Sequence, residues 1–240
     1  MNIIQLEEVN STNLYAKENL DSLEDKTVII ANSQTCGRGR FDRKWVDLGV
    51  GNLFMTIVLK PSNSFEEVYA NLTQYLSVVL AKVLEEYGLS PKIKWPNDVM
   101  VNDGKISGIL SETVMQGNNF KGLVLGIGVN LNADKDDLKQ IKERVATALN
   151  IELEREYIDK KLFTEKLLIE FFKNYEEFLK NGFSMIKKYY VDRCNFLGKE
   201  ISVKVFNDKK SGVAKEINDS GELVIEDGKN EFILTMGDIL

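Results

Sequence analysis

Between Lys92 and Val129 short apolar, β-branched runs alternate with polar turns, and the turn Asn102-Asp-Gly104 carries the residue types a tight β-hairpin requires. Lys92 to Trp95, Val99 to Val101, Lys105 to Val114 and Gly122 to Val129 therefore read as successive strands with short connections. Upstream, Ile3 to Leu6, Val28 to Ala31 and Leu53 to Leu59 are further strand candidates, the last closed by Pro61. Ser11 to Leu20 reads as a helix opened by hydroxyl caps. Ser64-Phe-Glu-Glu67 has the form of a capping box, and apolar residues at helical spacing from Val68 to Val83 carry a second helix to a stop at Gly88. More helices follow the strand run, the clearest from Asp159 to Leu179 with Gly182 as its C-cap. Strands and helices grouped in blocks predict an α+β main domain rather than repeated βαβ units.

Near Cys194 the texture changes. Ile201 to Phe206, Gly212 to Ile217, Glu222 to Ile225 and Phe232 to Thr235 are short strand candidates separated by Asp, Asn, Gly and Lys turns. That spacing predicts a small β-barrel of about 45 residues. A chain of 240 residues has room for one main domain and such an appendage. The division is expected between residues 1–190 and 191–240.

The chemistry is bounded by what is missing. There is no histidine, which removes Ser–His, Cys–His and histidine-metal sites together. The two cysteines, Cys36 and Cys194, cannot build a four-thiolate zinc site and are too far apart in sequence for a C-x-x-C redox pair. No protein metal site is expected. The formal charge of −6 argues against nonspecific nucleic-acid binding, which depends on counterion release from phosphates. No secretory signal or apolar run of about 20 residues is present, so a cytoplasmic, soluble protein without membrane contact is expected.

Against that acidic background, residues 33–45 read Ser-Gln-Thr-Cys-Gly-Arg-Gly-Arg-Phe-Asp-Arg-Lys-Trp. Gly37 and Gly39 remove Cβ atoms where backbone N–H groups can wrap a ligand, and Arg38, Arg40 and Arg43 offer planar donor forks for carboxylate or phosphate. The loop is open between a polyanion site and a solvated basic surface. A second constellation joins Lys94-Trp-Pro-Asn-Asp98 to Asp103-Gly-Lys-Ile-Ser-Gly108. Lys105 beside that hairpin is either a lysine bridging a carboxylate and a phosphate or an ordinary surface charge. Ser11-Thr-Asn13 is a ligand-binding turn or only a helix cap. Gly126-Ile-Gly-Val-Asn130 lacks the third glycine and following helix of a dinucleotide fingerprint.

In order, S-T-N, Q-T-C-G-R-G-R-F-D-R-K-W, K-W-P-N-D…D-G-K-I-S-G-I-L-S-E and G-I-G-V-N-L-N resemble the biotin–protein ligase family along nearly the whole chain. The resemblance implies a central mixed β-sheet flanked by helices, akin to class II aminoacyl-tRNA synthetases, followed by an SH3-like domain. It also implies a two-step reaction. ATP with Mg²⁺ activates biotin as biotinyl-5′-AMP, and a lysine of a biotin carboxyl carrier domain then attacks the anhydride. Under it, Ser11, Thr12, Asn13 and Gln34 would bind the ureido ring. Gly37, Arg38, Gly39 and Arg40 would belong to the loop that closes over biotin and the adenylate. Lys105 would contact carboxylate and phosphate oxygens, with Arg40 and Asp98 completing the catalytic set. Asp98 would orient Arg40, assist Mg²⁺ or assist the incoming lysine, and these stay open. Arg43, Trp45, Asn97 and Asn130 would join Arg38, Arg40 and Lys105 on the ATP side.

Two departures stand out. Phe41-Asp42 replaces the usual basic–glycine pair of the loop, with Phe41 expected to stiffen it and Asp42 to lower its charge. Only ten residues precede Ser11, so the form without a DNA-binding winged helix is expected. The family also implies a homodimer as a possibility. The rival readings are a lipoate-type ligase and a non-catalytic biotin- or RNA-binding module. The C-terminal barrel is left between carrier docking, support of the ATP site and a structural role.

Overall fold

The apolar run from Leu53 to Leu59 is buried on both faces, and its position as an interior strand of a seven-stranded sheet explains why it shows no polar alternation. The computed structural model describes residues 2–62, 64–141, 145–206, 208–228 and 230–240, apart from the side chain of Asp42. In chain order the main part contains β1 (Ile3–Val9), α1 (Thr12–Glu18), β2 (Val28–Gln34), β3 (Leu53–Leu59), α2 (Leu72–Glu86), β4 (Lys92–Lys94), β5 (Asp98–Val101), β6 (Gly104–Gln116) and β7 (Asn119–Val129). The sheet order is β1-β2-β3-β7-β6-β5-β4, with β1 and β2 parallel and the other pairs antiparallel. It is thus the mixed sheet the sequence led us to expect.

Helices α3 (Lys135–Leu138), α4 (Leu149–Glu152), α5 (Lys160–Lys173), α6 (Tyr175–Asn181) and α7 (Ser184–Val191) follow. Together with α2, the last three supply Tyr75, Leu80, Phe163, Phe171, Phe178 and Tyr190 to the principal core. Asp159 caps α5 by accepting the Leu162 N–H at 3.0 Å, and Gly182 ends α6 at φ +64°. The single helix expected over Asp159–Leu179 is broken at Asn174, whose φ of −123° and ψ of 10° leave the helical region.

Two capping expectations fail for local reasons. Ser11 precedes α1, but its hydroxyl makes no capping bond; its own N–H goes to Asn10 Oδ1 at 2.6 Å. Ser64 does not open α2 either. The segment Glu67–Asn71 is a 3₁₀ turn, and α2 starts after it without a side-chain cap. The Ser64 N–H is taken by the Ser62 hydroxyl at 3.3 Å, while the Tyr69 hydroxyl donates to Glu66 at 3.0 Å.

The Asn102-Asp103 turn has φ of 46° and 64°, the two left-handed residues that match the twist of a tight hairpin. The C-terminal part holds β8 (Glu200–Val205), β9 (Asp208–Ile217), β10 (Leu223–Asp227), β11 (Asn230–Leu234) and β12 (Asp238–Ile239). These form a five-stranded antiparallel sheet in the order β11-β10-β9-β8-β12. One strand more than expected is present, the two-residue β12. Val203, Ala214, Ile217, Leu223 and Ile225 of this sheet belong to the same hydrophobic cluster as Trp95 and Tyr190. The seam is also hydrogen-bonded, with Gln74 Nε2 and Trp95 Nε1 both donating to the Gly221 carbonyl, at 2.7 and 3.1 Å.

Candidate active site

The basic loop after β2 folds back on itself. Arg38 and Lys44 form an antiparallel bridge, the Trp45 N–H donates to Gly37 O at 2.9 Å, and the Gly39 N–H donates to Arg43 O at 2.7 Å. A Cβ on Gly37 would stand 2.6 Å from the Trp45 carbonyl, so this tight ladder requires glycine there. At its tip Phe41 is left-handed at φ 53°, and its ring packs edge-on against Phe206, with centroids 5.7 Å apart. The expected stiffening by Phe41 thus has a physical partner in the C-terminal sheet region. The expectation for the Asp42 charge lies outside the described residues.

The loop covers a cavity of about 290 Å³ over one face of β6 and β7. Ser11, Thr12, Asn13, Gln34, Arg38, Gly39, Arg40, Arg43, Trp45, Asn97, Asp98, Lys105 and Asn130 all line it, so nearly every residue singled out in the sequence reaches one space. Gly37 does not line it and acts behind the wall through the ladder. Cys36 is exposed and off the cavity.

One end of the cavity is neutral and rich in hydrogen bonds. The Thr12 N–H donates to Gln34 Oε1 at 2.8 Å, Thr56 Oγ1 lies 2.8 Å from Thr12 Oγ1 and 2.7 Å from Asn13 Oδ1, and Asn13 Nδ2 donates to Glu112 at 3.0 Å. Space for Asn13 exists because Gly126 has no Cβ, which would stand 2.2 Å from Asn13 Oδ1. Glu112 also pairs with Lys17 at 2.9 Å and lies 3.8 Å from Arg38. Burial pushes the Glu112 carboxyl upward, but hydrogen bonds from Lys17 and Asn13 and the charges of Lys17 and Arg38 outweigh it and hold it below the usual carboxylate value.

The other end is cationic. Lys105 is not a surface lysine: its side chain is 13 % exposed, and its Nζ sits 2.6 Å from Asp98 Oδ1 and 5.5 Å from the Trp45 ring centroid. It reaches there by lying across Gly108, whose Cβ would stand 2.9 Å from the Lys105 Nζ and 2.9 Å from Trp45 Cζ3. Trp45 also lies flush on Gly128, where a Cβ would be 2.5 Å from the indole. Arg40 donates to Asn97 Oδ1 at 3.2 Å and to Gly237 O at 3.1 Å. Burial lowers the Arg40 guanidinium from its ordinary value, opposed by the carboxylates of Asp238 and Asp98. Asn97 and Asn130 are pinned through donation to Ile109 O at 2.6 Å and Thr147 O at 3.0 Å.

A cavity with a neutral polar pocket at one end and convergent Lys and Arg groups at the other suits an elongated ligand whose anionic end meets a phosphate. A sequence profile of the biotin/lipoate A/B protein ligase family matches residues 5–130. The biotin–[acetyl-CoA-carboxylase] ligase of Paracoccus denitrificans is 31% identical over 228 residues, covering 92% of each chain. The chain belongs to the biotin/lipoate A/B protein ligase family. Among solved structures of such ligases, the Aquifex aeolicus biotin protein ligase in complex with biotin and ATP superposes with a TM-score of 0.83 at 27% identity, over 100% of this chain and 97% of that one. The bifunctional ligase/repressor BirA of Bacillus spizizenii is 30% identical over 201 residues, and the match spans 83% of this chain but only 61% of that relative's length.

Three groups in or behind the cavity wall escape a reading of the sequence. Asp238, from β12, lines the cavity, forms an ion pair with Arg43 and lies 3.6 Å from Arg40. Thr56 looks like one more residue of a buried strand, and Glu112 like an ordinary strand charge. Alternation along β6 places Glu112 and Leu110 on one face, which is the only local signal that Glu112 points toward α1.

Proposed function

We propose that the chain is an ATP-dependent biotin–protein ligase that makes biotinyl-5′-AMP and transfers biotin to a lysine of a carboxylase carrier domain. The reading rests on one observation: a single cavity joins an uncharged hydrogen-bonding pocket at Thr12, Asn13 and Gln34, with Arg38 beside it near Glu112, to the cations Arg40, Arg43 and Lys105. A cyclic urea suits the first and a carboxylate meeting an α-phosphate suits the second. Adenylation brings two anions together, and fixed cations offset their repulsion and the charge developing at phosphorus. In this scheme Lys105 sits at the carboxylate–phosphate junction, Arg38 and Arg40 hold the adenylate, and Arg43, Trp45, Asn97 and Asn130 receive the nucleotide. Asp98 holds the Lys105 ammonium in position. The covering loop keeps water from the anhydride.

Magnesium enters with ATP. Asp98 and Asp238 are the cavity's carboxylates, both are ion-paired, and no cluster of three metal-binding side chains exists among the described residues. Mg²⁺ is therefore better held by phosphate oxygens and water than by a protein cage. Residues 1–190 would form the catalytic domain and 191–240 the appended one. A cytoplasmic location suits a carboxylase partner, no nucleic-acid partner is needed, and a homodimer would leave the cavity chemistry unchanged. Among the described residues no helix is long and apolar enough to cross a membrane.

A lipoate ligase is the rival within the family. Its apolar dithiolane ring would make no hydrogen bond to the polar wall at Thr12, Asn13 and Gln34, where a cyclic urea could. Pyrophosphate release with MgATP plus biotin, lipoate or octanoate decides: release with biotin supports the proposal, release only with lipoate or octanoate replaces it, and none with any acid refutes it.

A further inference from the structure

The hydrogen bonds behind the neutral pocket run in one direction, and a carboxylate sets that direction. Glu112 Oε1 accepts from Lys17 at 2.9 Å and Oε2 accepts from Asn13 Nδ2 at 3.0 Å. An ionised carboxylate can only accept, and the cations around Glu112 keep it ionised. The Asn13 amide nitrogen also donates to Leu110 O at 3.2 Å, so both acceptors face Nδ2 and the amide orientation is determined. Asn13 Oδ1 must then accept at 2.7 Å from Thr56 Oγ1. A hydroxyl has one hydrogen. Thr56 spends its hydrogen on Asn13, and at the 2.8 Å contact with Thr12 it can only accept. Thr12 therefore spends its own hydrogen on Thr56. Its other acceptor, Gln34 Oε1, is farther at 3.2 Å, and a hydrogen shared with it is equally withheld from the ligand. What remains on the Thr12 hydroxyl is a lone pair on the cavity wall.

We propose that Glu112 and Thr56 are positioning residues that, through Asn13, fix the Thr12 hydroxyl as a pure hydrogen-bond acceptor, so that the pocket selects a ligand N–H at that point. The inference rests on the biotin reading and deepens it. The selected group is a ring N–H of the cyclic urea, and an analogue carrying a ring oxygen there meets two opposed lone pairs. Thr56 is fully buried and does not line the cavity, so its effect on ligand choice must pass through its neighbours.

The test compares biotin with its cyclic carbamate analogue, one ring N–H replaced by oxygen, in pyrophosphate exchange. The wild type is expected to prefer biotin by at least about tenfold, the cost of leaving buried polar groups mismatched. Thr56→Val frees the Thr12 hydrogen to turn toward the ligand, and the preference should fall by about tenfold. Thr56→Ser, which keeps the hydroxyl, should retain it, and KM for ATP should not change in either variant. Glu112→Gln is the sharper variant. With its amide oxygen held by Lys17, its nitrogen faces the Asn13 Nδ2 donor that Leu110 O still accepts, so two donors oppose each other and the Asn13 amide loses its fixed orientation at the head of the relay. It too should lose the preference, even where Thr56→Val fails to fold. A biotin-to-carbamate ratio unchanged in folded Thr56→Val or in Glu112→Gln overturns the relay while leaving the ligase reading intact. A wild type with no biotin-dependent exchange overturns the ligase reading itself.

Discussion

Lys105 gives the most direct test of the cationic end, because stability and chemistry can be separated there. Its ammonium and the Asp98 carboxylate are 2.6 Å apart, with both side chains 13 % exposed. Removing one partner of a fully buried pair costs about 3–5 kcal/mol, since the other charge is left uncompensated. The residual exposure and the Arg40 guanidinium, which also feels Asp98, reduce that to about 2 kcal/mol. Lys105→Ala should therefore fold but melt about 4–8 °C lower in a thermal scan. Adding Asp98→Asn removes the stranded charge and should recover most of the loss, as coupled neighbours do in a double-mutant cycle. Activity should behave otherwise. Both Lys105→Ala and the double variant should lose about 10²–10³ in biotin-dependent pyrophosphate exchange, the scale of one preorganised electrostatic contact. If Lys105→Ala melts with the wild type, the pair is not a tether. If it turns over like the wild type, the lysine is not at the reacting junction.

Asp238 occupies Arg40 and Arg43 as a triphosphate would, so Asp238→Asn should lower KM for ATP by about fivefold and leave KM for biotin unchanged; a raised KM for ATP would show that the carboxylate instead holds the arginines ready. Cys36 is exposed, whereas Cys194 is buried and its thiol is pushed far up by burial, so iodoacetamide should label the native protein once, at Cys36. Mass mapping of label at Cys194 would contradict the packing. Glu112 is held below the usual carboxylate value of 4.5, so its contribution is present above that pH and is lost as pH falls through its lowered value. Acid unfolding curves should therefore show a shallower acid limb for Glu112→Gln, and parallel curves would argue against the assigned pairing.

The residues that could be read from the sequence are those whose signal is local. Asn102-Asp103 announces its hairpin because a tight turn needs two left-handed residues. The Gly-Arg loop announces a candidate anion site because so many cations in so few residues are unusual in an acidic chain. What could not be read depends on distant partners. The Asp238 ion pair with Arg43 spans 195 positions, and β12 is too short to leave a periodic pattern. Lys105 stays open between a bridging lysine and a surface charge when only its own segment is read, because nothing in D-G-K-I-S-G tells that Gly108 leaves a groove for its side chain. The capping box at Ser64 misled because Ser62 and Tyr69 claimed its neighbourhood first. Thr56 was hidden inside an otherwise apolar strand, where only the partners across the sheet give its hydroxyl a purpose.

The seam at the Gly221 carbonyl has a practical consequence. The protein carries two tryptophans, and they sit at different places: Trp95, 2 % exposed, bonds across that seam, whereas Trp45 forms part of the cavity wall. Intrinsic fluorescence is thereby divided into two channels. With Trp95→Phe, the remaining emission follows ligands entering and leaving; with Trp45→Phe, it follows whether the two sheets stay joined while they do.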